Sequence, residues 1–373
     1  MKKQLSILIY SLAGGGAERV VSLLTYELQK KFDLTLVLMN DTIEYSLPEN
    51  LEIEFLEHSD MHEKGILKLL KIPYLAYKYK KICQEKNIDI SVSFMNRPNY
   101  INVIAKLFGL KVKTLISERA MPSLQYGYGD LQSKVNKFLI RTLYPKADKI
   151  IANSMGNTQD LIDNFFISKQ AISVVYNPID IEKINYAAKE EAEINTDKYT
   201  FVTIGRLDTG KNHKMLINAF SQLNNKEAQL YIIGDGYLRD TLQQQIDRLN
   251  LRGRVVLLGK KANPYKFLAQ MDCFTFTSNH EGFPNVILEA LACGLPIIST
   301  DCQSGPKEIL APRVENEFGI LVNTNATKEM TDAMQLMMDD KDLSNLYQNK
   351  ARIRARDFDK NKIIKNYIRI INE

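Results

Sequence analysis

Cysteine is scarce in this chain, and its four copies are scattered. Cys83, Cys273, Cys293 and Cys302 have no spacing suited to zinc or to a redox couple. This excludes a disulfide scaffold and predicts reduced thiols, two of them in core positions. The four histidines, His58, His62, His213 and His280, also lack a metal-ligand spacing. No apolar run approaches the ~18–20 residues that a membrane span requires. Met1-Lys2-Lys3-Gln4 leads into a short apolar stretch and then glycines. That pattern reads as a first strand rather than a secretory signal, and the expected compartment is the cytoplasm. The G-x-G-x-x-G and Walker spacings are missing, as are a nucleophile elbow and an evident Ser or Cys triad. Asp357-Phe358-Asp359 lies in a charged C-terminal stretch and not at a strand end, so no metal site is expected.

What remains is a chain of 373 residues, too long for one core and suited to two domains. Its 45% hydrophobic and 25% charged content is ordinary for a globular protein. Apolar runs alternate with amphipathic segments, which predicts βα units and parallel sheets. Strands are expected at 5–10, 34–39, 88–94, 113–117, 149–152 and 172–175. A second set is expected at 200–204, 229–233, 255–258, 273–277, 297–300 and 319–322. Helices at 19–30, 213–223 and 238–250 fill some of the gaps. The two sets share one plan, so two doubly wound domains facing each other are inferred. The boundary falls at Tyr176-Asn177-Pro178-Ile179-Asp180, giving domains 1–178 and 179–357. A closing helix within 358–373 is expected to pack back on the first domain.

Charge is unevenly spread. The formal net charge is +5, yet residues 64–149 hold 17 basic against 5 acidic side chains, a local +12. Lysines interleaved with Leu, Ile and Tyr over 64–81, and again over 134–141, suit an interfacial helix meeting anionic lipid. The alternative is a solvated basic face on an ordinary surface helix. No nucleic-acid motif accompanies the charge, and no nucleic-acid partner is expected.

Three loops could carry chemistry, because ligands of open parallel sheets bind beyond the carboxyl ends of the strands. Glu281-Gly282-Phe283-Pro284-Asn285-Val286 follows an apolar run and opens a helix that Gly294 and Pro296 end. The amides near Asn285 and Val286 would favour an anion, typically a phosphate. Glu281 and Glu289 could accept hydrogen bonds from hydroxyls beside it, and polyol hydroxyls next to a diphosphate describe a nucleotide sugar. Gly205-Arg206-Leu207-Asp208-Thr209-Gly210-Lys211 puts a forked Arg and a mobile Lys on one strand-end loop, suited to holding two phosphates. Gly14-Gly15-Gly16 follows the first strand and would let a ligand approach the backbone closely. Each pattern also has a plain reading as a tight turn or a pair of solvated charges.

Taken together, Gly14-Gly-Gly-Ala-Glu18, Gly205-Arg206 with Lys211, and Glu281-Gly-Phe-x5-Glu289-Ala-x-Ala-x-Gly-x-Pro296 resemble the family-4-type retaining glycosyltransferases of GT-B fold. The likeness spans nearly the whole chain. Ile9-Tyr-Ser-Leu, Met39-Asn-Asp, Asn96-Arg-Pro-Asn-Tyr100, Leu143-Tyr-Pro-Lys-Ala-Asp148 and Asn263-Pro-Tyr265 look like the N-acetylgalactosaminyltransferases of Campylobacter-type protein N-glycosylation. Those enzymes extend an undecaprenyl-diphosphate-linked oligosaccharide at the inner membrane face with UDP-GalNAc. The closest likeness is to the step adding the second hexosamine, α1,4, to a lipid-linked disaccharide.

The resemblance implies an α/β GT-B architecture with an acceptor- and membrane-facing first domain and a nucleotide-sugar-binding second domain. It implies that Arg206, Lys211 and Glu281 do the catalytic work, the two cations on the diphosphate and Glu281 on hydroxyls of the donor sugar. Glu289 would hold the ribose, with Gly282, Phe283, Pro284, Asn285 and Val286 completing the donor site. Gly15 and Gly16 would sit near the donor phosphates or the acceptor. No cofactor or metal is implied, and front-face substitution needs no protein nucleophile. Many relatives carry a His in a Ser-Glu-His setting, where this chain has Ser117-Glu118-Arg119. Glu118, Arg119 and Arg97 are therefore candidates for the acceptor, and the histidine's role is not transferred. The rivals are the same reaction with another nucleotide sugar in lipopolysaccharide or capsule assembly, a non-catalytic sugar-nucleotide-binding protein, and a sugar-nucleotide epimerase of the same fold.

Overall fold

In a computed structural model describing residues 2–58, 65–194, 197–313 and 316–373, the apolar segments form two parallel sheets. They lie in two units, one comprising Met1–Pro178 and Lys360–Glu373, the other Ile179–Asp359.

The first unit holds β1 (Gln4–Ile9), β2 (Asp33–Leu38), β3 (Glu52–Phe55), β4 (Ile90–Phe94), β5 (Lys113–Glu118), β6 (Lys149–Ala152) and β7 (Ile172–Val174). Their spatial order is β3-β2-β1-β4-β5-β6-β7. Strand β3 was not expected, because Glu52 and Glu54 break the apolar signal. It is an edge strand whose acids are held by Lys86 at 2.6 and 2.9 Å, and charges of this kind protect a sheet edge from wrong pairing. The expected strand at 88–94 is shorter, beginning at Ile90.

The helix Lys360–Asn372 buries Ile363, Ile364, Tyr367, Ile370 and Ile371 in the same cluster as Leu5, Ile7 and Ile9 of β1. Lys113 Nζ donates to the carbonyls of Ile370 and Ile371 at 3.1 and 2.9 Å, placing a cation at the helix's negative end.

The second unit holds β8 (Thr200–Ile204), β9 (Gln229–Ile233), β10 (Val255–Gly259), β11 (Cys273–Phe276), β12 (Ile297–Thr300) and β13 (Ile320–Val322), in the order β10-β9-β8-β11-β12-β13. The chain leaves β8 toward one edge and returns to β11 on its other side. The loops after β8 and β11 therefore part at a topological switch point, where doubly wound sheets bind ligands.

Among the described residues, no helix is long and apolar enough to cross a membrane. The basic stretch expected as one interfacial helix is two, Gly65–Leu70 and Ile72–Glu85, while Lys64 lies outside the described residues. Ile72, Leu75, Ala76, Tyr79 and Cys83 face the core. Leu67, Leu70 (71% exposed), Tyr74 (68%) and Tyr77 face solvent at helical spacing, accompanied by Lys71 and Lys81.

Candidate active site

The second unit brings the cation loop and the carboxylate loop together. Strand β8 ends at Ile204, and Gly205–Asn212 runs to the helix His213–Ser221. Lys211 forms an ion pair and hydrogen bond with Glu281, which comes from the loop after β11. The Lys211 ammonium also lies 5.5 Å from the Phe276 ring centroid. Both partners are mostly covered, 21% and 14% exposed, so their attraction is screened less than that of a surface pair. Arg206 is placed differently. Its side chain is 82% exposed and approaches Asp208 at 3.3 Å, a geometry that contributes little by itself.

Pro284 is the N-cap of the helix Asn285–Cys293, one residue earlier than a first-turn position, and Gly294 closes the helix at φ 84°. The first amides of a helix have no partner one turn back. Asn285 and Val286 open the helix and so stand at its positive end, four and five positions after Glu281. Gly282, Phe283 and Pro284 are buried, and the Ser304 hydroxyl fixes their turn by donating to the Gly282 carbonyl at 2.7 Å. Glu289 is 2% exposed, inside that helix. Its place there follows from the sequence, whereas the depth of its burial does not.

Sequence reasoning missed the side chains that fasten the cation loop. Thr277 Oγ1 donates to the Lys211 carbonyl at 2.9 Å, and the Asn279 amide N–H donates to the Gly210 carbonyl at 2.8 Å. Asn212, left-handed at φ 51°, donates to Asn279 Oδ1 at 3.1 Å. The available signal was an Asn-His pair at a helix start.

Buried beneath the loop, His213 is 3% exposed, and its Nε2 lies 3.2 Å from the Arg206 carbonyl. Desolvation lowers its pKa from 6.5 to about 4; the nearby Lys211 acts the same way, while the hydrogen bond to Arg206 and the Asp208 charge oppose it. The folded state therefore holds the ring neutral, and the unfolded chain binds the extra proton between those values. Stability from this group is present above pH 6.5 and is lost as pH falls toward 4.

In the first unit, Gly15 and Gly16 lie at the start of the helix Gly16–Leu28, and the Glu18 carboxylate occupies the space a Gly15 side chain would take. That helix start is faced by the chain's own acid, which the glycine pattern did not reveal.

Glu118 ends β5 and is 1% exposed. It accepts hydrogen bonds from Tyr144 at 2.6 Å, Asn96 at 3.0 Å and the amides of Arg119 and Ala120 at 2.8 and 3.2 Å. Both oxygens of this expected acceptor residue thus accept hydrogen bonds from the protein itself. Burial pushes its pKa upward against those bonds. Glu118→Gln would set an NH2 group against donors whichever way it turned, the Arg119 and Ala120 amides on one side or Asn96 Nδ2 and the Tyr144 hydroxyl on the other. Denaturant unfolding should show about 1–3 kcal/mol of lost stability in the first unit.

Arg119 is likewise engaged with neighbouring side chains. It donates to the Tyr367 hydroxyl at 3.0 Å and to Asn177 Oδ1, and lies over the Phe94 ring. Arg97 is engaged with Glu57 at 2.8 Å and the Lys68 carbonyl at 3.2 Å. Among the described residues, no group of three or more His, Cys, Asp or Glu side chains is gathered for a metal ion.

Residues 14–183 match Glycosyltransferase Family 4, and residues 186–354 match Glycosyl transferases group 1. A relative from Campylobacter jejuni is 45% identical over 369 residues, covering 99% of each chain. The chain is a family-4-type glycosyltransferase. That relative is named N-acetylgalactosamine-N,N'-diacetylbacillosaminyl-diphospho-undecaprenol 4-alpha-N-acetylgalactosaminyltransferase. A second C. jejuni protein, a GalNAc-alpha-(1->4)-GalNAc-alpha-(1->3)-diNAcBac-PP-undecaprenol alpha-1,4-N-acetyl-D-galactosaminyltransferase, is 25% identical, covering 99% of this chain and 98% of its own. Among solved structures, Anabaena HepE in complex with UDP-glucose superimposes with a TM-score of 0.83 at 21% identity, covering 99% of each chain. At that identity it shows the fold, GT-B with two Rossmann-like domains. The glycosyltransferase therefore carries its paired Lys211 and Glu281 at the switch point of its second sheet.

Proposed function

We propose that this enzyme transfers N-acetylgalactosamine from UDP-GalNAc, with retention, to an undecaprenyl-diphosphate-linked disaccharide. The bond formed is α1,4, within protein N-glycosylation. The observation that carries this reading is the 45% identity, over 99% of both chains, to a transferase named for that acceptor and linkage.

The site chemistry supports it. Lys211 and Arg206 would meet the charge that builds on the departing diphosphate, helped by the Asn285 and Val286 amides. The Lys211–Glu281 pair keeps the cation within the site until the donor arrives. Glu281 is then free to accept bonds from sugar hydroxyls, and Glu289 would face the ribose. The acceptor hydroxyl loses its proton to the leaving diphosphate, so the sugar keeps its configuration without a protein nucleophile.

A donor panel with a synthetic undecaprenyl-diphosphate disaccharide tests this reading. UDP-GalNAc should give a lipid-linked trisaccharide. Turnover confined to UDP-Glc or GDP-Man would replace the pathway with lipopolysaccharide or capsule assembly.

The solvent-facing Leu70, Tyr74 and Tyr77, with Lys71 and Lys81, suit peripheral binding at the inner face of the inner membrane. Co-sedimentation should rise with phosphatidylglycerol content and fall with salt. Binding indifferent to both would remove the electrostatic contribution.

A further inference from the structure

The Arg206 guanidinium is nearly free of protein contacts, so its position depends on the main chain that carries it. That main chain has no regular structure of its own. Gly205 N–H donates to the Ile233 carbonyl and Leu207 N–H to the Asp235 carbonyl, both at 3.0 Å. These bonds tie the loop to the sheet on one side. On the other side, Thr277 and Asn279 hold the Lys211 and Gly210 carbonyls. The Arg206 peptide sits between these two anchorages; its carbonyl accepts from the Asp208 N–H at 2.9 Å, and the side chain that reaches it from beneath, at 3.2 Å, is the His213 imidazole.

We propose that His213 is a positioning residue for diphosphate binding, its Nε2–H donating to the Arg206 carbonyl and so setting the height and direction of the peptide that presents Arg206. The inference rests on the reading that Arg206 and Lys211 grip the donor diphosphate.

Three observations agree. His213 is buried, while the helix it opens packs Met215, Leu216 and Phe220 into the core. Its ring therefore has a fixed base from which to push on the loop. A Cβ built on Gly205 would lie 3.6 Å from the same Nε2, at van der Waals contact, so the ring lies directly against the main chain that leads into Arg206. Nδ1 has no partner among the described residues, so the ring's polar engagement with the protein runs through Nε2. At Nε2 the carbonyl requires N–H, which the neutral ring supplies as one tautomer. A cationic ring beside Lys211 and the incoming phosphates is not needed.

Because the cations act mainly on charge that develops as the diphosphate leaves, a misplaced Arg206 should lower kcat more than it raises the donor KM. Gln at this position reaches as far as Nε2, whereas Asn reaches only as far as Nδ1. His213→Gln is expected to keep kcat within about threefold. His213→Asn should lose about tenfold or more in kcat, with the UDP-GalNAc KM changed by less than about threefold.

Equal activity of the two variants, whether high or low, would overturn the proposal. So would loss of folding in both, since the ring would then serve only packing. Lys211→Ala assayed in parallel separates the two readings. If it is fully active, the diphosphate reading itself fails. If it is inactive while the Asn and Gln variants match, only the role of His213 falls.

Discussion

Lys211→Ala is expected to lower turnover by ~10²-fold or more, because it removes the covered cation of the site. The loss should fall mainly on kcat, since charge on the diphosphate grows as the sugar departs. The same substitution leaves Glu281, 14% exposed, without its ion-pair partner. An uncompensated, mostly buried carboxylate costs about 1–3 kcal/mol, so thermal unfolding should also shift downward. Lys211→Arg keeps the charge but has a broader head to fit against Glu281 and the Phe276 ring, and should be intermediate. Unchanged turnover in Lys211→Ala would remove the cation from the mechanism.

Gly234→Ala should be equally severe by another route. Gly234 has φ 146°, a conformation that L side chains rarely adopt, and an added Cβ would overlap the Gly205 carbonyl oxygen. Backbone cannot yield as a flexible side chain does, so the strand end or the cation loop must shift. A shift of ~1 Å at Arg206 is enough for ~10²-fold in rate. The expected result is a lowered melting midpoint together with turnover below one hundredth of the parent. By contrast, Gly253→Ala tests φ alone, since nothing lies within 4 Å of its added Cβ, and it should leave turnover unchanged. Wild-type turnover in Gly234→Ala would mean that the Gly205–Gly234 contact does not constrain the site.

Much of the fold was legible because its signals are local. The second-unit strands read as short apolar runs bounded by glycine or asparagine turns, and burial on both faces of a parallel sheet makes such runs conspicuous. The E-x7-E helix was legible for a similar reason: a proline at its start and a glycine at its end are chemical punctuation. Strand β3 escaped because alternating glutamates at an exposed edge look like loop. The helix Asn96–Leu107 escaped because asparagine and tyrosine dilute its apolar stripe, and its core face, with Asn99 and Asn102 buried, is set by packing.

Among the candidate residues, Arg206, Lys211 and Glu281 were picked out as residue types placed at strand ends. Glu118 was picked out through the family resemblance, from its Ser-Glu-Arg setting, and its surroundings in the structure were not legible. A chain of buried hydrogen bonds runs from Ser6 through Tyr79, Ser91, Asn102, Ser93, Asn99 and Tyr144 to its carboxylate. These partners come from five separate elements, so no window of sequence displays them together.

The amino-acid order by itself determined two α/β units, their glycine turns and the carriers of charge at the strand ends, since each depends on neighbours a few positions away. Tertiary structure alone decided which carriers meet. Lys211 reaches Glu281 across 70 positions, and Arg119 reaches Tyr367 across 248. Those encounters depend on β8 lying beside β11 and on the last helix returning to the first sheet. Both arrangements come from burying apolar faces over the whole chain.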